Sequence, residues 1–191
     1  NDIIIENYLL QSKYFVGNIF FKKTKKVLIC ENSILTPYKD CGSLYMTEFI
    51  KSLLKTNYCV HFFSVGNMCY LSETEYFKQM GVYVHYDKHK YHYKSFENFL
   101  KFNSSYFDYI FISRFDKCHL FKESIRKYSP RSKLIYVTHD IAHLRIEDTK
   151  EHRKIKNIEI RNIEYCDLSL IVSNDEMNYL NKQVSSDKLF Y

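Results

Sequence analysis

The chain has 191 residues, enough for one good-sized domain with a single core. Apolar residues make up 46% and aromatics 17%, nearly all Tyr (18) and Phe (15), with Gly (4) and Pro (2) scarce, which excludes a disordered chain. The formal charge of +6 fits an anionic partner such as a nucleotide, a nucleic acid or an acidic membrane surface, but the Lys and Arg are spread along the chain, so a solvated surface is the simpler explanation.

The six cysteines are Cys30, Cys41, Cys59, Cys69, Cys118 and Cys166. No two form a C-x-x-C pair, which argues against a zinc site of the usual spacing. Cys30 and Cys59 sit inside apolar runs, where Cys behaves as a small buried hydrophobe. All six read as reduced thiols of a cytosolic protein. No run reaches about 18 uninterrupted apolar residues, so no membrane-spanning helix is expected. The chain opens on Asn1-Asp2 without an initiator Met or a signal-peptide pattern, and stops in the apolar run Leu189-Phe190-Tyr191, which resembles the start of a strand. Both ends look cut, as in a piece of a longer protein.

In chain order, residues 1–24 read as a lead-in segment or linker, ending in the basic run Lys22-Lys23-Thr24-Lys25-Lys26. Regular alternation begins after it. Val27–Cys30 is a strand; Ser43–Lys55 carries a helical apolar stripe at 46, 49, 50, 53 and 54. Tyr58–Phe63 is a second strand, and Glu73–Met80 a short helix with Ser72 and Glu75 as its capping box. Val82–His85 is a third strand, Phe96–Phe102 a helix, Tyr109–Ser113 a fourth strand and Asp116–Tyr128 a helix. Leu134–Val137 is the fifth strand, Glu147–Tyr165 a long polar helix with Ile155, Ile158 and Ile163 on one face, and Leu168–Val172 the sixth strand. Ser173 and Glu176 box the start of a last helix reaching about Val184.

Short apolar strands alternating with helices imply βαβ units and a mostly parallel sheet of about six to seven strands buried on both faces: a doubly wound, Rossmann-like α/β domain over 25–191. In such a sheet ligands bind beyond the carboxyl ends of the strands. Three stretches fall there: Glu31 to Gly42 after the first strand, Ser113-Arg114 after the fourth, and Thr138-His139-Asp140 after the fifth.

No G-x-G-x-x-G follows the first strand, which argues against a standard dinucleotide site, and no G-x-x-x-x-G-K-[ST] is present. Signatures of a catalytic Ser or Cys are also absent. The first loop, by contrast, is long for a βα connection. In it Pro37 stiffens the chain, Gly42 permits an unusual backbone angle, and Ser43 offers an N-cap to the helix. A helix N-terminus with free amides attracts an anion or a sugar hydroxyl, although an ordinary turn with an ordinary cap has the same pattern. His139 and Asp140 form an acid/base or hydrogen-bonding pair, or a polar loop in which Asp140 caps the backbone. Arg114 holds a phosphate or carboxylate, or pairs with Asp140. In VHYDKHKYHYK (84–94), His85, His89 and His92 could be drawn as a metal site, but the interleaved Lys and Tyr suit a solvent-facing loop better.

Taken in order, these pieces resemble the N-terminal domain of retaining glycosyltransferases of family 4, which have the two-domain GT-B architecture. VLICEN (27–32) and PYKDCGSLYMTEFIKSLLKTNYCVHFFS (37–64) resemble the family's opening strand, its P-x-x-D-x-G-S loop and the following helix and strand. YFKQMGVYVHY (76–86), FDYIFISR (107–114), LIYVTHDIAHLR (134–145) and EYCDLSLIVSNDEMNYL (164–180) resemble later elements in the family's order. The likeness runs from about Val27 to Tyr191. It implies that Asp40, Gly42 and Ser43 approach the sugar diphosphate, that His139 or Asp140 contacts the transferred sugar, and that Thr138, Arg114 and Arg145 belong to the substrate site. It treats Glu176 mostly as a helix cap. Tyr45 stands where Arg is frequent, Val137 where Asp precedes Thr138, and Ala142 where His is common, so substrate details are left open.

The resemblance implies the acceptor-side half of a hexosyltransferase-type enzyme. A nucleotide sugar would be the co-substrate, with no cofactor or metal, since helix N-termini and cationic side chains stabilise a leaving diphosphate. The acceptor would be a glycan or lipid-linked molecule in surface polysaccharide or glycoconjugate synthesis. The C-terminal nucleotide-sugar domain is missing from this chain, which alone should be nearly inactive. No nucleic-acid partner is expected, and the location implied is cytoplasmic, with peripheral contact at the inner membrane face allowed. The rival expectation is a non-catalytic glycan- or protein-binding module that keeps the Rossmann-like fold.

Overall fold

A computed structural model describes residues 24–68, 70–86, 93–147 and 150–191. The lead-in expected over 1–24 lies outside the described residues except for Thr24, as do His89 and His92. The described chain runs β1 (Lys26–Ser33), α1 (Cys41–Lys55), β2 (Cys59–Met68), α2 (Leu71–Gln79), β3 (Tyr83–His85), α3 (Tyr93–Phe102), β4 (Tyr109–Ser113), α4 (Phe115–Tyr128), β5 (Lys133–Val137), a 3-10 turn (Ala142–Arg145), α5 (Lys150–Tyr165), β6 (Leu168–Leu170), α6 (Asn174–Leu180), a second 3-10 turn (Ser186–Lys188) and β7 (Leu189–Phe190). All seven strands pair in parallel in the order β3-β2-β1-β4-β5-β6-β7. This is the doubly wound α/β sheet the strand–helix alternation implies, and the terminal run at 189–190 supplies its seventh strand.

The central strands are apolar throughout because both faces are covered. Along β1, Val27 and Ile29 pack with Phe62, Phe111, Ile135 and Val137 under Met46 and Ile50 of α1 and Phe77 of α2. Leu28 and Cys30 turn the other way, packing with Ile110, Leu134 and Tyr136 under Phe96 and Leu100 of α3, Phe121 and Ile125 of α4 and Ile163 of α5. The period of two puts Glu31 on the α1 face. At the amino edge, Asp167 ties three elements together: its carboxylate accepts from the Leu134 amide at 2.7 Å and from Arg126 at 2.8 Å.

The chain leaves β1 in one direction through β2 and β3, then returns to add β4 on the opposite side. The boundary between β1 and β4 is therefore the topological switch point, where connections diverge and open a crevice.

Some element ends differ from the sequence reading. The first strand continues through Glu31, Asn32 and Ser33, alongside an extension of β2 to Met68. Polar residues hide this extension, which depends on Gly66: a Cβ there would lie 2.4 Å from the Asn32 carbonyl oxygen. The Ser72–Glu75 capping box does not form. Helix α2 begins at Leu71 with Tyr70 in the cap position and no side-chain cap bond, and the Ser72 hydroxyl bonds Glu73 at 2.5 Å. The long helix starts at Lys150, after the 3-10 turn.

Gly66→Ala should therefore lower stability by about 1–3 kcal/mol through overpacking, read as a shift of the urea midpoint with unchanged slope. An unshifted midpoint would show that the β1–β2 extension tolerates a side chain.

Candidate functional site

At the carboxyl edge, the loop 34–40 leads from β1 into α1. Asp40 is extended (φ −150°) and caps the helix, its carboxylate accepting from the Ser43 amide and the Ser43 hydroxyl, each at 2.7 Å. The cap is thus Asp40, not Ser43 as the sequence reading had it; Ser43 is the residue that the cap holds. Partial burial pushes the Asp40 carboxyl up, but the Ser43 and Thr36 hydrogen bonds and the charge of Arg114 outweigh it and hold the group below its ordinary value. The Cys41 and Gly42 amides have no acceptor among the described residues.

Gly42 lies inside α1, in ordinary helical backbone, so its value is not an unusual angle as expected. It is a close approach. A Cβ at Gly42 would lie 3.3 Å from Asp40 Oδ1 and 3.4 Å from His139 Nδ1. The imidazole of His139 rests on the first turn of α1.

His139 reaches that position because its backbone turns left-handed (φ 58°). Its Nε2 lies 2.8 Å from Oε1 of Glu31, and both side chains are largely buried, at 13% and 4% exposure. Glu31 was legible only as part of the loop after the first strand; the signal that could have singled it out is an ionisable residue closing an otherwise apolar run. His139 and Asp140 do not pair with each other. Asp140 pairs with Arg145, so Arg114 is not its partner either. Arg114 is exposed at the start of α4, with φ 68° and ψ 139°, a sparsely populated combination that costs about 1–3 kcal/mol and clusters at functional sites. Thr138 is buried, and both its amide and its hydroxyl bond the Leu170 carbonyl, at 3.2 and 3.1 Å, so it fixes the loop.

The rest of the loop is anchored from behind. His143 is fully buried, with Nδ1 2.5 Å from Glu159 and Nε2 2.8 Å from the Tyr179 hydroxyl. Glu159 also accepts the Ala142 and His143 amides, at 2.8 and 3.1 Å. Glu176 accepts the Ile141 amide at 2.9 Å, while Ser173 caps α6 through the Glu176 amide at 3.2 Å. Glu176 is therefore more than a cap. Glu159 falls on the Ile155–Ile163 face of its helix, and a carboxylate on an apolar stripe is the signal that would have found it.

Two other features stand apart. The His61 Nδ1 and His85 Nε2 atoms lie 2.9 Å apart in a nest where Tyr83 stacks on His61. Burial holds His61 well below the usual imidazole value and His85 at about 4. His85 is thus partly enclosed while Tyr83 stays exposed, and residues 87–92 of that segment lie outside the described residues. An open groove of about 670 Å³, lined by Phe115, Lys150, Glu151, Lys154, Ile155 and Ile158, runs between the start of α4 and α5. Among the described residues there is no group of three potential metal ligands, no disulfide, and no helix long and apolar enough to cross a membrane.

No protein-family model matches the chain, and no curated protein matches it in sequence. Among solved structures, the fold is similar to that of a sucrose-phosphate synthase from Thermosynechococcus elongatus, with a TM-score of 0.58 and 11% identity over 87% of this chain. The chain spans 47% of that protein's length, so the likeness is to one half of it. The likeness is one of fold: the parallel α/β sheet of this chain matches one half of that structure.

Two outcomes test the site's construction. Asp40 has a depressed folded-state value, so its contribution to stability is complete above about 3.9, the ordinary Asp value, and fades as pH falls through the lower folded value. The gap in thermal midpoint between the parent and Asp40→Asn should therefore close on acidification; a gap constant down to strongly acidic pH would contradict the capping role. Glu159→Ala should leave the buried Nδ1 of His143 without its partner and cost about 3–5 kcal/mol, with faster hydrogen exchange at the Ala142 and His143 amides. Unchanged exchange there would show that the loop does not depend on Glu159.

Proposed function

We propose that this chain is the acceptor-side half of a retaining glycosyltransferase of the family 4 type. The observation that carries the reading is the seat of His139 on the first turn of α1, at the switch point of a parallel sheet. The residues that the motif resemblance selects all follow carboxyl ends of strands, which supports the reading. The free Cys41 and Gly42 amides and the positive end of the α1 dipole suit a phosphate or a sugar oxygen. Arg114 adds a cation whose field reaches Asp40. The His139 ring would contact the transferred sugar, with Asp140 and Arg145 forming the outer wall. Thr138 serves by holding the loop.

Transfer would require a nucleotide-binding domain opposite this edge, because this half alone offers few groups to stabilise a departing diphosphate. The groove beside Phe115, with isoleucines in its floor and Lys150 and Lys154 on its rim, suits an acceptor that joins apolar and anionic parts, as a lipid-linked glycan does. The rival reading, a binding module without catalysis, relied on the segment 83–94, of which residues 87–92 lie outside the described residues.

In the complete protein, His139→Ala and Gly42→Val should each lower sugar transfer by about 10²-fold or more while leaving the fold intact by circular dichroism. Activity surviving both changes would sink the site assignment.

A further inference from the structure

We infer that Glu31 is a positioning residue that fixes the tautomer and orientation of His139, so that Nδ1 is the ring atom offered to a ligand hydroxyl. The inference rests on the sugar-transfer reading only for its kinetic consequence.

Glu31 is 3% exposed, and its carboxylate meets the imidazole of a residue 108 positions away. A buried carboxylate is costly unless something donates to it. The group within reach to donate is His139 Nε2, at 2.8 Å. An ionised carboxylate can only accept, so the proton of the neutral ring sits on Nε2 and the lone pair on Nδ1. The same contact sets the plane of the ring, and its far side then falls over Gly42. A side chain at 42 would press on Nδ1; glycine leaves space beside that atom. A bare Nδ1 accepts hydrogen bonds and cannot give one. Its ligand must therefore bring a hydroxyl or another donor, which fits a sugar and not the oxygen of a diphosphate. The diphosphate is left to the amides at the start of α1.

The division has a second consequence. A glutamine at 31 can either accept from the ring or donate to it, and so admits both tautomers, whereas an alanine holds neither.

The test compares the parent with Glu31→Gln and Glu31→Ala. Long-range proton–nitrogen spectra of this chain, taken in mildly alkaline buffer, read the His139 ring directly and do not depend on activity. The parent should show a single form with a slowly exchanging proton on Nε2. Glu31→Gln should show a mixture, and Glu31→Ala a mobile, exchange-averaged ring. In the complete protein, kcat should fall with the fraction of the Nε2–H form, by about 10²-fold in Glu31→Ala, with little further loss when His139→Ala is added. A proton on Nδ1 in the parent overturns the inference, as does an Nε2–H form that survives Glu31→Ala. Transfer that does not change with tautomer overturns the positioning role. If the spectra behave as expected but the parent transfers no sugar, the sugar-transfer reading fails and the ring geometry stands.

Discussion

One hydrogen bond spans the end of β4 and organises the carboxyl edge of this sheet. Glu31 lies near the carboxyl end of β1, His139 follows β5, and β4 lies between those two strands. β4 stops at Ser113, which pairs with Val137, so the chain beyond β5 can fold back over its end. Two residues take left-handed backbone to allow this, Arg114 and His139. For His139 the cost is about 1–2 kcal/mol, which the contact to a buried carboxylate can offset. Without Glu31 there would be little to hold the imidazole against α1, and Gly42 would keep only Asp40 as a tight neighbour.

The segment 138–146 shows how this exposed function is supported. Its polar residues divide the work by direction. Thr138 bonds backward to β6, His139 reaches Glu31 beside the start of α1, Asp140 and Arg145 pair with each other, and His143 turns into the interior. Glu159 and Glu176 take up the amides of Ile141, Ala142 and His143, groups that a buried turn would otherwise leave unpaired. The loop is thus pinned by carboxylates from α5 and α6, which makes a rigid platform of what is formally a connection.

The fold was legible in the sequence because both faces of the sheet are buried: VLIC, YIFIS and LIYV have no polar interruption, and helical stripes separate them. Its limits were less visible. Polar Glu31-Asn32-Ser33 conceal the end of β1, and the Ser72 and Glu75 pattern mimics a cap that the chain does not use. At the site, Gly42 and His139 could be named from pattern, but not their contact, nor the reason for the glycine. The switch of caps from Ser43 to Asp40 depends on where α1 starts, a matter of two residues. Glu31 and Glu159 were missed because their partners lie 108 and 16 positions away, and no spacing rule links them. The pairing of His61 with His85 depends on strand register, which sequence leaves open.

The central claim is that this edge is half of a sugar-transfer cleft. The most direct measurement is to purify the polypeptide from its source, incubate it with a panel of radiolabelled nucleotide sugars and a glycan and lipid extract of the same cells, and determine the product's anomeric configuration. A sugar-transfer cleft of the proposed family 4 type predicts that label from one donor passes to an acceptor with configuration retained. A folded protein that transfers label from none of the donors, or that transfers it with inversion, would contradict that claim.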